Sequence, residues 1–237
     1  MDCKRLESLP KLPYLLGFVD ASGCKRLKTV SGFTTALTEG SDQRYPFVLH
    51  IFNNSVSLDE NARRNILDDA HLRNIAIAYY PRFSYEVRCQ GIEIPKWVGN
   101  QMEGSSIDIT LPLHWSEDPN FLGLAFCLLV DFRNAPNATC EAESIFKTEN
   151  GESHTYHFSN NQSYSTRCDD DSPDHLVVVW YDSLQKVRST PYTGATQASF
   201  HFHSFQKVWT KMKLHREKLE DRVKRCGVGF VYAQGQD

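Results

Sequence analysis

The spacing of apolar residues changes character twice along this chain. Up to Val30 it echoes itself: Cys3-Lys4-Arg5-Leu6-Glu7-Ser8-Leu9 returns as Cys24-Lys25-Arg26-Leu27-Lys28-Thr29-Val30, an offset of 24 − 3 = 21 positions. Leu12, Leu15, Leu16, Phe18 and Val19 lie between the copies, at the spacing of a short strand and its backing layer. A period of that length with Leu at the recurring points is what a leucine-rich-repeat solenoid needs, because each turn buries an apolar edge against the next. Fewer than two turns are present, and isolated turns cannot bury their faces. The expectation for residues 1–35 is the terminal leucine-rich repeats of a longer solenoid.

Residues 31–56 carry Gly, Thr, Ser and Asp, then an apolar strand-like run from Phe47 to Phe52. A helix over 57–74 is predicted next, within a linker spanning 36–84. Ser57 and Glu60 have the spacing of a capping box, in which hydroxyl and carboxylate satisfy backbone N–H groups at a helix start. Leu58, Ala62, Ile66 and Ala70 then form one stripe at four-residue steps, with Arg63, Arg64 and Asp68 off it. Such a helix reads as a docking element between two blocks, and Pro81 closes the region.

From Tyr85 the period becomes two. Ile107, Ile109 and Leu111 alternate with Asp108 and Thr110 in a half-buried strand closed by Pro112. Phe121 to Phe132 is apolar on both faces, so pattern alone fits helix and strand equally. Pro119-Asn120, Gly123 and Asn134-Ala135-Pro136 favour a central strand. Further strands are predicted at Glu141 to Glu149, His154 to Ser159, His175 to Tyr181, Ala198 to Phe205 and Val223 to Tyr232. Asn150-Gly151, Asp171-Ser172-Pro173-Asp174 and Pro191-Tyr192-Thr193-Gly194 separate them with turn chemistry. The fold class expected is mainly β: an antiparallel β-sandwich of jelly-roll or Ig-like weave over 85–237, behind a solenoid end and a linking helix.

Composition narrows the function. The chain has 237 residues, 41% hydrophobic and 23% charged, with a formal net charge of −3. That is ordinary globular material with no overall basic field for nucleic acid or anionic lipid. Its longest apolar run, Phe121 to Val130, is too short to span a bilayer, and no secretory signal pattern opens the chain. The seven cysteines are widely spaced, without a C-x-x-C pair, as in a reducing compartment. Cytoplasm is the expected location, with the nucleus as the alternative. Charge is uneven: 141–182 carries 2 − 9 = −7 and 206–225 carries 8 − 3 = +5, read as two solvated surfaces of opposite sign.

The search for chemistry returns mostly absences. No phosphate-binding glycine loop, nucleophile elbow or H-E-x-x-H occurs. His201-Phe202-His203 places two imidazoles on one strand face, as a metal-binding jelly roll would, but no carboxylate follows within the next residues. Phe200 and Phe202 should face the core, which turns both histidines outward. His154 and His157 fall on opposite faces of their strand. Asp169-Asp170-Asp171 lacks the alternation of a calcium loop and reads as a solvated turn. Trp97, Trp115, Trp180 and Trp209 would suit a sugar platform, yet read better as core or rim residues. No catalytic, cofactor-binding or metal residue is assigned, and no cofactor is expected.

Glu93-Ile94-Pro95-Lys96-Trp97, Gly104-Ser105-Ser106-Ile107, Leu111-Pro112-Leu113-His114-Trp115 and Phe121-Leu122-Gly123-Leu124-Ala125-Phe126-Cys127 follow one another in order. Together they resemble the C-terminal jelly-roll and Ig-like domain that follows the leucine-rich repeats in plant TIR-type intracellular immune receptors. Val223-Lys224-Arg225-Cys226-Gly227-Val228 is similar to that domain's closing strand, and Leu58-Asp59-Glu60-Asn61-Ala62 to the helix that joins repeats to sandwich. Leu9-Pro10-Lys11-Leu12-Pro13 and Leu27-Lys28-Thr29-Val30 match the final repeats. Gln90, Ile92 and Val98 depart from the family's usual residues, implying local repacking at the domain entrance.

The resemblance implies a non-catalytic recognition module that binds a pathogen effector protein, as the sensor end of a receptor. The receptor's nucleotide-binding and NAD-cleaving TIR segments, the other implied partners, have no counterpart in this chain. Loops around Arg133 to Thr139, Asn160 to Asp174 and Leu184 to Gln197 would supply part of the ~1,600 Å² that a specific complex buries. No single contact residue is fixed by motif. Two other readings stand beside it: a stand-alone carbohydrate-binding sandwich and a metal-dependent jelly-roll enzyme.

Overall fold

The computed structural model describes residues 3–13, 16–32, 47–78, 84–133, 135, 138–159, 175–183, 194–210 and 213–233. Pro81, the turns expected at 171–174 and 191–193, and the acidic run Asp169–Asp171 lie outside the described residues.

The N-terminal end is wound in layers. Strand β1 (Ser8–Leu9) pairs in parallel with β3 (Thr29–Val30), Ser8 facing Thr29 and Leu9 facing Val30. That register, 29 − 8 = 21, equals the sequence echo. Both copies make the same tight turn, Leu6 N–H donating to Cys3 O at 3.3 Å and Leu27 N–H to Cys24 O at 2.9 Å. Lys28 N–H donates to Glu7 O at 2.8 Å between the layers, and Arg26 pairs with the Glu7 carboxylate. Elsewhere in the coil β2 (Phe18–Asp20) pairs in parallel with β4 (Phe47–Phe52), and β4 in parallel with β5 (Ser84–Gly91). Ala21 N–H to Ile51 O and Gly23 N–H to Asn53 O, both 2.8 Å, extend the β2–β4 ladder past its strand ends.

From β5 onward pairing is antiparallel. The remaining strands are β6 (Asn100–Glu103), β7 (Ser106–Thr110), β8 (Phe121–Val130), β9 (Ala138–Thr148), β10 (Ser153–Ser159), β11 (His175–Ser183), β12 (Ala195–Thr210), β13 (Lys213–Leu219) and β14 (Val223–Tyr232). One seven-stranded sheet runs β2-β4-β5-β11-β8-β14-β6. A five-stranded sheet runs β10-β9-β12-β13, with β7 also paired to β12. Strand β2 of the N-terminal layers and the antiparallel block therefore share one continuous sheet, while β1 and β3 form a two-stranded sheet of their own. Among the described residues the chain is mainly β, with one α-helix.

Packing explains why β8 is apolar throughout. One face of the seven-stranded sheet meets the five-stranded sheet through Phe126, Leu128, Val178 and Trp180 against Phe146, Phe158, Phe200 and Phe202. Phe126 is at the centre, its ring 4.8 Å from Phe158, 5.3 Å from Trp180 and 5.7 Å from Phe200. On the other face Cys127, Leu129, Val177, Val179, Val87 and Cys89 pack in a second core with Ala62, Ile66 and Ala70 of the helix and with Cys24, Leu27 and Val30. A strand covered on both sides needs apolar residues on both parities, which is what Phe121 to Val130 supplies.

The helix, α1, runs Glu60–Ala78, later at both ends than the 57–74 expected. The stripe Leu58, Ala62, Ile66 and Ala70 is buried as its spacing requires. The capping box does not form. Asp59 is the cap, its Oδ1 accepting from Ala62 N–H at 2.6 Å, while Glu60 pairs with Arg64 at 2.9 Å. Ser57 is drawn elsewhere, its hydroxyl donating to Lys25 O at 2.6 Å, and Leu58 N–H closes a turn on Ser55 O. The helix continues to Ala78 because Arg73 and Asn74 are still buried and Ile77 still packs on the second core.

Candidate protein-recognition surface

The residue types that would carry chemistry are mostly committed to structure. Phe200 and Phe202 face the core, so His201 and His203 face outward as the alternation requires. The carboxylate missing downstream of them arrives across the ladder: β9 sets Glu143 opposite His201 and Glu141 opposite His203. His203 Nε2 lies 3.8 Å from Glu143 Oε2, and β10 sets His157 opposite Glu143 on the other side. Even so, among the described residues no three His, Cys, Asp or Glu groups converge on one point. His154 lies opposite Phe146, on the core-facing side of β10, and so is separated from His157.

The described tryptophan side chains, Trp97, Trp115 and Trp180, make no common platform. Trp115 and Trp180 are core residues, and Trp115 Nε1–H donates to Ala195 O at 2.8 Å. Trp97 lies against α1, stacked on His71 at 4.8 Å with Nε1–H donating to Leu67 O at 3.1 Å. The side chain of Trp209 lies outside the described residues. The buried thiols are equally committed. Burial pushes Cys89 and Cys140 up to about 12 and Cys226 up to about 11, with Cys127 higher still, so none is a nucleophile near neutral pH.

What remains accessible is a surface built on the five-stranded sheet. Its outer face carries Glu141, Glu143, His201, His203 and Phe205, and the Arg216 guanidinium lies 4.3 Å from the Phe205 ring centroid while pairing with Glu141 at 2.7 Å. The expected loops at 133–139, 160–174 and 184–197 lie largely outside the described residues, but the strands that bound them are placed. Val130 is paired with Leu176, and Glu141 with Ser159, so the ends bounding the first two loops share one end of their sheets. Ser183 is paired with Gly123, and Ala195 with Thr148, at the other end.

A polar knot rigidifies the first of these ends. Arg133 Nε and Nη2 donate to Asp131 Oδ1 and Oδ2 at 2.9 and 2.6 Å, and Arg222 Nη1 donates to Arg133 O at 3.1 Å. The Arg133 hydrogen bonds hold the Asp131 carboxyl well below the usual carboxylate range. Sequence reasoning passed over this knot and the Glu141–Arg216 pair. The first had a local signal in Asp131-Phe132-Arg133; the second depends on sheet register, which spacing along one strand does not reveal.

At the domain entrance Val98, one of the departures from the family pattern, is fully buried against Gly227 of β14. A Cβ on Gly227 would stand 2.7 Å from Val98 Cγ1 and 3.1 Å from Asn100 O, so the glycine is what admits the Trp97–Asn100 segment to the sheet. Of the other two departures, Gln90 is buried and Ile92 is exposed. Among the described residues no helix is long and apolar enough to cross a membrane.

Comparison with known proteins gives this arrangement a context. The C-JID domain family model matches residues 89–237. The chain is 35% identical over 142 residues to the disease resistance-like protein DSC1 of Arabidopsis thaliana, covering 56% of this chain and 11% of that protein. It is 26% identical over 263 aligned positions to the disease resistance protein RPP2B of the same plant, covering 99% of this chain and 21% of the relative. Disease resistance protein RPS4B, also from Arabidopsis thaliana, is 25% identical across 97% of this chain and 20% of its own length. The chain thus spans about a fifth or less of the curated relatives it matches. With 149 of its positions, 237 − 89 + 1, inside one family model, and with relatives that are plant disease resistance proteins, the chain belongs to the C-JID domain family.

Proposed function

We propose that this chain is the effector-recognition end of a plant disease-resistance receptor, a non-catalytic module that binds a pathogen effector protein and passes the contact to nucleotide-binding and TIR segments of the same receptor. In this reading residues 1–35 are the last leucine-rich repeats, 36–84 a linker carrying α1, and 85–237 the jelly-roll and Ig-like sandwich. Family membership over 89–237 carries the proposal. Its physical support is the shared sheet. Because β2 and β4 pair in parallel and β4 pairs directly with β5, force on the antiparallel block is borne by backbone hydrogen bonds leading into the coil. A rigid block with loops gathered at its ends can vary its binding specificity without disturbing the core.

The test uses a full receptor containing this segment, co-expressed with candidate effectors in leaf tissue. Segments 134–137, 160–174 and 184–193 are exchanged with those of a relative, singly and together. The expected result is that recognition follows the exchanged segments. If receptors that accumulate normally keep their original effector range through every exchange, the proposal fails.

A further inference from the structure

A charged pair lies inside the face of the seven-stranded sheet that meets the five-stranded one. Two rows of side chains cross that face, as the ladder registers set them. The first runs Leu49, Glu86, Trp180, Phe126 and Val228; the second runs Ile51, Arg88, Val178, Leu128 and Cys226. Every one of these residues is buried, Glu86 to 0% exposure and Arg88 to 1%. Tyr85, Val87 and Cys89, on the alternate parity of β5, belong to the second core beneath α1. Arg88 Nε donates to the Glu86 carboxylate, so the two charges neutralise each other along one strand. Arg88 Nη1 donates across to the facing sheet, to the carbonyl of Ala138 at 3.5 Å, where β9 begins.

Stability gives little reason for such a pair. Taking a carboxylate and a guanidinium out of water costs about what their attraction returns, so two apolar side chains of the same volume would hold the sheets together at least as well. What a buried pair does provide is discrimination between arrangements. Apolar side chains at 86 and 88 would be covered equally well by any apolar strand. A buried guanidinium needs an acceptor for each donor, and a donor that Glu86 does not use finds one at Ala138 O.

We propose that the Glu86–Arg88 pair is a docking device: it fixes where the five-stranded sheet seats on the seven-stranded one, with the Ala138 carbonyl as the point it reads. Its place in the fold suits that role. β5 is the strand at which pairing changes from parallel to antiparallel, so the seat lies beside the β2–β4 ladder of the N-terminal layers. Further along the same face the sheets meet through Phe126, Phe146, Phe158, Phe200 and Phe202, rings that pack by shape and area and carry no hydrogen-bonding group to mark a register.

The test uses the full chain and three variants, followed by urea unfolding and by amide NMR with hydrogen exchange. Glu86→Gln leaves the guanidinium buried without its counter-charge and is expected to lower the folded-to-unfolded ratio by at least about a hundredfold. The double variant Glu86→Leu with Arg88→Met is expected to be at least as stable as the parent. Its Ala138–Ala142 amides are nevertheless expected to give more than one set of resonances, or to exchange at least about tenfold faster, while the Val177 and Val179 amides keep the parent's values. Arg88→Lys keeps the charge and loses the planar fork, and is expected to speed exchange of the same β9 amides by about tenfold with the α1 amides unchanged. A double variant with one set of resonances and parental exchange overturns the proposal. So does a double variant that is less stable than the parent or does not fold, because the pair would then serve stability. An unchanged folded-to-unfolded ratio in Glu86→Gln, or unchanged β9 exchange in Arg88→Lys, overturns it as well.

Discussion

His50 shows how one buried residue sets the acid limit of this fold. It is fully buried on β4, with Nε2–H directed to Leu16 O at 3.0 Å and its ring edge-on to Tyr85 at 5.7 Å. Burial, and then the Arg73 guanidinium, push its imidazole down to about 3. In the unfolded chain the same group titrates near ~6.5. Between those values the unfolded state binds a proton that the folded state refuses, so the contribution is complete above ~6.5 and is lost as pH falls toward 3. At pH 5 the loss is about 2 kcal/mol, and urea titrations at pH 7 and pH 5 measure it. His50→Gln, which keeps a donor for Leu16 O, is expected to lower stability at pH 7 and to flatten that pH dependence. An unchanged slope in the variant would place the acid sensitivity elsewhere. Gly227 is a second single-residue control point, acting through shape. Gly227→Ala drives a methyl into Val98 and is expected to cost about 1–3 kcal/mol, seen as a lower urea midpoint at unchanged m-value.

At the scale of elements, α1 separates two readings of its own N-terminus. Asp59→Ala removes the oxygen that accepts from Ala62 N–H and is expected to cost about 1 kcal/mol, whereas Glu60→Ala loses only the exposed pair with Arg64 and stays within about 0.5 kcal/mol. A capping box at Ser57 and Glu60 would make Glu60 the costlier loss. The motif was legible in the sequence, but Ser57 is held by Lys25 O, a partner 32 positions away that local spacing cannot reveal. The same division runs through the strands. β8, β9, β10, β11 and β14 were legible because alternation or turn residues mark them, whereas β13 is a charged edge segment, exposed from His215 to Lys218, with no apolar face to betray it. The outward turn of His201 and His203 followed from alternation, while the carboxylates opposite them required the β9–β12 register. Phe126 is packed between the two sheets, against rings from both. Phe126→Ala is expected to cost about 3–5 kcal/mol by thermal or urea unfolding, because its ring is ringed by Phe158, Trp180, Phe200 and Phe202 and the cavity cannot collapse between two sheets.

For the whole molecule the decisive feature is that one sheet changes from parallel to antiparallel pairing at β5 without a break. From sequence, residues 1–35 expressed alone are expected to be poorly protected in hydrogen exchange, because an open solenoid end lacks its neighbour. The structure divides that end in two. Ala21, Cys24, Leu27 and Val30 belong to the same core as α1 and the outer face of the seven-stranded sheet, while the described residues from Cys3 to Pro13 are exposed or half-buried. A core common to both regions makes their opening one cooperative event. In native-state hydrogen exchange the Ala21 and Gly23 amides, bonded to Ile51 O and Asn53 O, are expected to approach the protection of central β8 amides. The Leu6 amide, bonded only across its own tight turn, is expected to exchange orders of magnitude faster. Equal and weak protection of Leu6, Ala21 and Gly23 would mean that the coil opens as a unit of its own. The parallel ladder from β2 to β5 would then be a passive contact between two independently opening regions.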